Sequence, residues 1–212
     1  YNNDNNDNDH DNDNDKDNQK QLYSFEQIYF PTKTSLKTIR FDNVEMDVDD
    51  YEYFGQNIMP LINKEIYSFE MENCNVNENS NYRWRDTEWF TSATLIIAIQ
   101  NCRFRQIEQS AFVNAINLRM ISLNGNQLNE YVRQWFNSGT LKYLWYIDLS
   151  DNQIEHFYGR DRDPFKNMPA LKVLKLKGNP IQTLRNIPIT SLKEFHIQSK
   201  IILISTISTN QF

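Results

Sequence analysis

The apolar residues of this chain recur in one fixed spacing. The pattern is L-x-x-L-x-L-x-x-N/C-x-L, where L stands for any apolar residue, and seven full or partial copies lie between residues 36 and 202. The clearest copies begin at Leu118, Leu144 and Leu171, and weaker ones begin at Leu36, Ile66, Thr94 and Leu192. Their ninth positions follow one another at intervals of 21 to 30 residues. Such a period predicts a repeat architecture, in which each copy is one structural unit.

Each copy predicts one short β-strand with a buried side. Because side chains alternate along a strand, the fourth and sixth positions point to the same side. A strand that buries two residues is not stable alone, so neighbouring copies must stack and share their apolar interior. A fully buried Leu or Ile contributes about 1.5–3 kcal/mol. Six to seven copies can therefore build a sufficient core, although hydrophobic residues make up only 39% of the chain.

The ninth position carries the polar part of the pattern. Asn126, Asn152 and Asn179 occupy it in three copies, where an amide can satisfy backbone groups that the stack would otherwise bury unpaired. Cys74 and Cys102 occupy it in two consecutive copies. We expect small buried thiols there, with a disulfide as the open alternative, because equivalent residues of adjacent strands lie about 4.8 Å apart. Two cysteines alone lack the ligands that a zinc site needs, so we expect no metal.

This spacing resembles that of the leucine-rich repeat superfamily, over roughly residues 35 to 202. The resemblance implies an α/β fold, namely a horseshoe-shaped solenoid of about six to seven repeats. It also implies a parallel β-sheet on the concave side and helical or irregular turns outside. Ile107, Ala111 and Phe112, with Phe165 in a later copy, resemble the subtype found in extracellular receptors and in secreted insect proteins.

That subtype favours a secreted protein with a role in extracellular recognition or innate immunity. The chain has no Asn-x-Ser/Thr glycosylation acceptor, which opposes secretion. The alternative is an intracellular adaptor or scaffold subunit of a signalling or ubiquitin-ligase complex, for which both thiols would have to be free. The chain starts with Tyr1 and shows no apolar leader, so we expect a processed product or a fragment.

The composition divides the chain into four parts. Residues 1–21 form an Asn/Asp-rich tail, and among residues 1–20 seven Asp against two Lys give a net charge of −5 out of a total of −6. We expect this tail to be disordered, because it has almost no apolar surface to bury. Its alternating Asp residues do not fit a calcium loop, since Asn14 stands where such a loop needs Gly. Residues 22–34 are expected to cap the array, 35–202 to form the repeats, and 203–212 to be a tail or truncated cap.

The array offers its variable strand positions to a partner. In this architecture the second, third, fifth, seventh and eighth positions of each copy line the concave face. The middle copies place apolar and aromatic residues there, which is typical of the centre of a protein interface. The residues that we predict to bind a partner are Leu95, Ile96, Met120, Ser122, Trp145, Tyr146, Asp148, Val173, Lys175 and His196. We expect a protein partner and no nucleic acid, since the chain is acidic overall.

The sequence carries no catalytic signature. With only five Gly, it has no phosphate-binding loop, and it shows no nucleophile elbow and no HExxH motif. We therefore expect neither enzymatic activity nor a cofactor. Ile201 to Ile204 form an apolar run without a closing polar element, so the C-terminal edge of the array is a candidate surface for homo- or hetero-oligomers. No apolar stretch is long enough to cross a membrane.

Overall fold

Seven parallel strands, one from each copy of the pattern, form a single sheet. The computed structural model describes residues 36–46, 59, 65–76, 83–84, 89–107, 109–129, 141–157, 165, 168–184 and 191–197. Within these ranges the sheet strands are β1 (Thr38–Asp42), β3 (Ser68–Glu72), β6 (Ile96–Gln100), β8 (Met120–Ser122), β9 (Tyr146–Asp148), β11 (Val173–Lys175) and β13 (Glu194–His196). They pair strictly in sequence order, so each copy lies beside the next one along the chain. The expected leucine-rich repeat solenoid with a parallel sheet is confirmed.

The remaining strands form three short parallel pairs. β2 (Glu45–Met46) pairs with β4 (Asn75–Val76), β5 (Arg83–Trp84) with β7 (Gln106–Ile107), and β10 (His156–Phe157) with β12 (Thr183–Leu184). In the described part of the chain, the helical structure of the outer segments is limited to one 3-10 helix at Gln109–Phe112 and single residues at 59 and 65. The described parts of the connections are therefore mostly irregular, which is the second of the two possibilities that the sequence left open.

The core lies behind the sheet and runs through all copies. The fourth and sixth positions of the central copies are at most 1% exposed, as Ile121, Leu149 and Leu176 illustrate. Aromatic residues from the outer segments complete the interior. Phe69 meets Trp89 edge-on at 5.5 Å between ring centres, and Phe90 stacks on Phe112 at 6.2 Å. At the ends of the array, Phe41 in the first copy and Phe195 and Ile197 in the last are only partly buried, because no further described copy covers them.

The ninth-position Asn residues form a buried polar column beside the strands. The Nδ2 of Asn152 donates to the carbonyl groups of Leu123 (2.9 Å) and Leu149 (3.1 Å), and its Oδ1 accepts the backbone N–H of Leu128 at 3.0 Å. Asn126 and Asn179 make equivalent bonds to their own and the preceding copy. Each amide thus joins two consecutive repeats and leaves few backbone groups unpaired.

The eighth position has a backbone conformation of its own. In six copies its φ angle is positive, between 54° and 77°, at Asn43, Asn73, Asn101, Gly125, Asp151 and Gly178. This left-handed region is open to Gly and tolerated by Asn and Asp, which explains the residue types found there. The chain therefore turns sharply after each strand, and the eighth residue belongs to this turn instead of the concave strand surface.

Several expectations concern residues outside the described ranges. The acidic tail (1–21), the capping segment (22–34), the C-terminal residues 203–212 and the apolar run from Ile201 to Ile204 all lie there. They stay predictions. Among the described residues, no helix is both long and apolar enough to cross a membrane.

Candidate functional site

The concave face is built from three parallel rows of side chains. Register pairing aligns the third position of every copy, which gives the third-position row: Thr38, Ser68, Ile96, Met120, Tyr146, Val173 and Glu194. Two residues further along each strand lies the fifth-position row: Arg40, Glu70, Ala98, Ser122, Asp148, Lys175 and His196. Side chains two residues apart share one face of a strand, so both rows face away from the core.

A third row lies where the strands begin. The second position of each copy precedes the strand, and there stand Lys37, Tyr67, Leu95, Arg119, Trp145, Lys172 and Lys193, the second-position row. All seven side chains are exposed or partly exposed. Each of the last six residues donates its backbone N–H to the carbonyl oxygen of the row member before it, at distances of 2.7–2.9 Å. The row is therefore continuous from the first copy to the last.

The predicted binding residues differ in how much of their surface they expose. Trp145 (42%) and His196 are exposed, whereas Leu95, Ile96, Met120, Tyr146, Asp148 and Lys175 are half-buried. Val173 is only 6% and Ser122 only 3% exposed. The Ser122 hydroxyl accepts a hydrogen bond from Gln100 Nε2 at 2.8 Å and donates to Asn124 Oδ1 at 3.1 Å. These two residues add shape to the face but offer a partner little surface.

Trp145 and Tyr146 form the aromatic centre of the concave face. Their rings meet edge-on at 5.7 Å between centres. The Tyr146 hydroxyl donates to Asp148 Oδ2 at 3.2 Å, and Lys175 Nζ lies 3.7 Å from the same carboxylate and 5.1 Å from the Tyr146 ring centre. The hydrogen bond with Tyr146, and then the negative charges of Asp148 and Glu194, raise the pKa of Lys175. The ammonium group is thus held charged beside the aromatic pair.

Ion pairs occupy the two ends of the face. In the first copies the Arg40 guanidinium lies 2.7 Å from Glu72 and 3.6 Å from Glu70. In the last copy His196 Nε2 lies 3.4 Å from Glu194. The face therefore has an apolar and aromatic middle between charged ends. Exposed surface ion pairs contribute little to stability, so these charges are better placed to orient a partner than to hold the fold.

Sequence reasoning did not place several exposed residues in the site. Tyr67 is 47% exposed, and Lys37 Nζ lies 4.9 Å above its ring centre. Tyr143, just before the second position of its copy, is contacted by Arg119 at 5.4 Å and by Lys142 at 4.8 Å. The signal that could have identified them is the basic and aromatic character of the second positions when these are read as one row.

The two cysteines are free thiols buried at the ninth positions of the second and third copies. Cys102 Sγ donates to the Gln100 carbonyl at 3.0 Å, and Cys74 Sγ donates to the Glu72 carbonyl at 3.4 Å. The neighbouring Cys74 thiol, and then burial, raise the pKa of Cys102, whereas the neighbouring Cys102 lowers the pKa of Cys74 to about 7. Cys102, buried and with a raised pKa, is therefore a poor nucleophile and a poor metal ligand. In the described part of the chain, no three His, Cys, Asp or Glu side chains are grouped so that they could hold a metal ion.

Comparison with known proteins agrees with this architecture. Residues 96–154, which span the third to the fifth copy, match the family model described as leucine rich repeat. With seven stacked copies in one parallel sheet, the chain has the leucine-rich repeat fold. No curated protein matches its sequence.

Two solved structures are similar in fold. The structure of the Toll–Spatzle complex, described as a molecular hub in Drosophila development and innate immunity, matches with a TM-score of 0.56 and 14% identity over 81% of this chain and 25% of that chain. The structure of a TLR13–ssRNA13 complex matches with a TM-score of 0.54 and 13% identity over 79% of this chain and 26% of that chain. The chain thus spans about a quarter of these larger proteins, and identities this low show the fold alone.

Proposed function

We propose that this chain is a protein-recognition module that binds its partner across the concave face and performs no catalysis. The proposal extends to an extracellular setting, in recognition at the cell surface or in innate immunity. The supporting observation is the half-exposed apolar and aromatic centre of the face, formed by Leu95, Ile96, Met120, Trp145 and Tyr146. Interface centres are enriched in Trp, Tyr and Met, and charged residues surround them at the rim.

The rigidity of the sheet favours this role. Every residue of the centre sits on or beside a strand that hydrogen-bonds to neighbours on both sides. A preorganised face loses little conformational entropy on binding, so more of the contact energy remains as affinity. The Lys175 ammonium and the Asp148 carboxylate next to the aromatic pair add polar groups that can fix the orientation of a partner.

The extracellular setting is supported by the likeness to the Toll–Spatzle structure and by the buried Phe112 and Phe165 of the outer segments. One observation favours the intracellular adaptor as a second candidate: Cys74 and Cys102 are free thiols, as the cytosol requires. The expected exclusion of nucleic acid gains no support, since one of the similar structures is a complex with single-stranded RNA. A nucleic-acid ligand is therefore included as an outcome of the binding experiments.

The test compares two exposed hydrophobic residues on different sides of the molecule. A partner is first isolated by affinity capture with the full chain, and its dissociation constant is then measured for Trp145→Ala, Tyr146→Ala and the control Ile116→Ala. Ile116 is 46% exposed, similar to Trp145, but it lies in the segment outside the sheet. We expect Trp145→Ala to weaken binding about 30-fold, as loss of a central Trp contact of about 2 kcal/mol does. Unchanged affinity in both concave variants, with folding intact, would refute the proposal.

A further inference from the structure

The charges of the concave face are sorted by row. The second-position row contains four cations, Lys37, Arg119, Lys172 and Lys193, and no acid. The carboxylates of the face stand further along the strands, at Glu70 and Asp148 in the fifth position and at Asp42 and Glu72 in the seventh, with Glu194 as the exception in the third. The edge of the sheet where the strands begin is therefore positive, although the chain as a whole has a net charge of −6.

Most of these cations have no acidic partner within the part of the chain that the structure describes. Lys37 pairs with Glu65. Arg119, by contrast, packs its guanidinium against the Tyr143 ring, and Lys172 Nζ donates to the neutral Ser191 carbonyl at 3.3 Å. Arg119, Lys172 and Lys193 make no ion pair with any described carboxylate. Their charge is available to an anionic ligand.

Aromatic rings stand between these cations. Trp145 occupies the position between Arg119 and Lys172 and is 42% exposed. Tyr67 continues the row next to Lys37. Adjacent strands lie about 4.8 Å apart, so Arg119 and Lys172 are separated by roughly 10 Å, with the Trp145 ring midway.

An extended peptide fits this spacing. It advances about 3.3 Å per residue, so roughly three residues cover the distance from Arg119 to Lys172. Ile96, Met120 and Tyr146 of the third-position row follow Leu95, Arg119 and Trp145 in the chain and can receive apolar side chains of the same peptide. A peptide is favoured over a nucleic acid, because the aliphatic Ile96 and Met120 can pack against apolar side chains, which a phosphate backbone lacks.

We infer that the second-position row binds an acidic, extended segment of the protein partner. Carboxylates placed about three residues apart contact Arg119 and Lys172, and an apolar side chain between them packs on Trp145. Lys193, one strand beyond Lys172, extends the positive edge. This inference rests on the proposed function, since it names the chemistry that the concave face selects. The segment runs across the strands, from one copy to the next.

The experiment uses the full chain and fluorescein-labelled synthetic peptides in anisotropy titrations. The acidic probe is a 12-residue peptide that repeats Glu-Leu-Ser, and the matched neutral probe repeats Gln-Leu-Ser over the same length. A 12-nucleotide oligo-dT is the single-stranded nucleic-acid probe. We expect the acidic probe to bind at least tenfold more tightly than the neutral one at low salt, with the difference shrinking at 0.5 M NaCl as screening requires.

Two charge-matched double variants locate the binding. Arg119→Gln with Lys172→Gln removes cations of the row, whereas Arg103→Gln with Arg105→Gln removes two exposed cations that follow the ninth position Cys102, outside the strand. We expect the first pair to weaken binding of the acidic probe about tenfold and the second to change it less than twofold. Thermal unfolding verifies that both variants fold. Equal losses in the two double variants, equal binding of both peptides, no binding of either, or tighter binding of oligo-dT would each overturn the inference.

The acidic tail of the chain is a second possible occupant of the second-position row, and one variant tests it. Residues 1–20 carry seven Asp and are themselves a candidate occupant of the row. A variant with these seven Asp changed to Asn should bind the acidic probe as the natural chain does. If the probe binds only to this variant, the occupant is the chain's own tail and the assignment to a partner is wrong. A negative peptide result combined with a large effect of Trp145→Ala on the captured partner would refute this inference and leave the proposed function standing.

Discussion

Replacing Asn152 with Asp exchanges one atom of the buried polar column and leaves the shape almost unchanged. In the natural chain, Asn152 Nδ2 donates to the Leu123 and Leu149 carbonyl groups, while Oδ1 accepts from the Leu128 N–H. An ionised Asp still accepts that N–H, but its second oxygen has no donor and faces the Leu123 and Leu149 carbonyl oxygens, each of which keeps one bond, from Asn126 and Asn179 respectively. The side chain is 5% exposed, so water can replace the donor only poorly.

The expected loss of stability follows from two lost hydrogen bonds and from one carboxylate oxygen buried without a donor. A hydrogen bond contributes about 1 kcal/mol, and a buried polar group left without its partner costs about 1–3 kcal/mol. For Asn152→Asp, these terms together predict a decrease of about 4 kcal/mol in the free energy of unfolding, a large part of the 5–15 kcal/mol typical of folded domains. The buried carboxyl should titrate above the ordinary Asp pKa of about 3.9. Because its folded pKa is raised, the variant regains stability as the pH falls from 7 towards 4.

Urea unfolding followed by circular dichroism measures this loss, with Gln153→Glu as the matched control. Gln153 is the next residue, its side chain is exposed, and the substitution makes the same change from amide to carboxylate. The control should change the free energy of unfolding by less than about 0.5 kcal/mol, as exposed substitutions usually do. If Asn152→Asp is no more destabilising than Gln153→Glu, or if its deficit does not shrink at low pH, the column does not hold the repeats together as described.

Three further substitutions or reactions test other parts of the structure. Gly125→Ala should lower the free energy of unfolding by about 1–3 kcal/mol, because φ is +70° and the new Cβ would lie 1.8 Å from Asn101 Oδ1. Phe69→Ala should cost about 3–5 kcal/mol by opening a cavity between two aromatic neighbours. Cys74 and Cys102 should react with iodoacetamide only in urea, because both thiols are buried in the folded chain.

Each of these expectations has its own control. Adding Asn101→Gly to Gly125→Ala removes the steric clash without straining the positive φ of residue 101 and should recover part of the stability, so an unchanged deficit would place the cost in the backbone at residue 125 alone. Val113→Ala, at a hydrophobic residue that is 41% exposed, controls for Phe69→Ala and should cost less than 1 kcal/mol. Rapid alkylation of either thiol without urea, measured by mass spectrometry, would show that the folded chain unfolds locally at the ninth position.

The repeat spacing was sufficient to predict the fold, because stacking makes the same demand on every copy. A position that is apolar in all seven copies must be buried in the shared core. Ile121, Ile147 and Leu174 lie in register for that reason. The eighth positions could also have been interpreted correctly. Their Asn, Asp and Gly residues indicate a left-handed turn, and assigning them to the concave face was an error of interpretation.

Burial on the concave face could not be predicted from spacing alone. Val173 and Asp148 both occupy variable positions, yet Val173 is almost fully covered and the Asp148 side chain keeps 13% of its surface exposed. The difference depends on the sizes of neighbours in adjacent copies, which are far apart in the sequence. The positive row was missed for a related reason: its cations become a pattern only when residues of different copies are placed side by side.

The partial burial of the outermost copies has a consequence for local opening. Phe195 and Ile197 in the last copy, and Phe41 in the first, are only partly covered, while the interior of the middle copies is sealed. In a one-dimensional array such ends fray first, and protection of backbone amides against hydrogen exchange should rise towards the centre. Trp145 would then lie in the part of the solenoid that unfolds last, so a ligand bound to it would contact the region with the slowest amide exchange in the molecule.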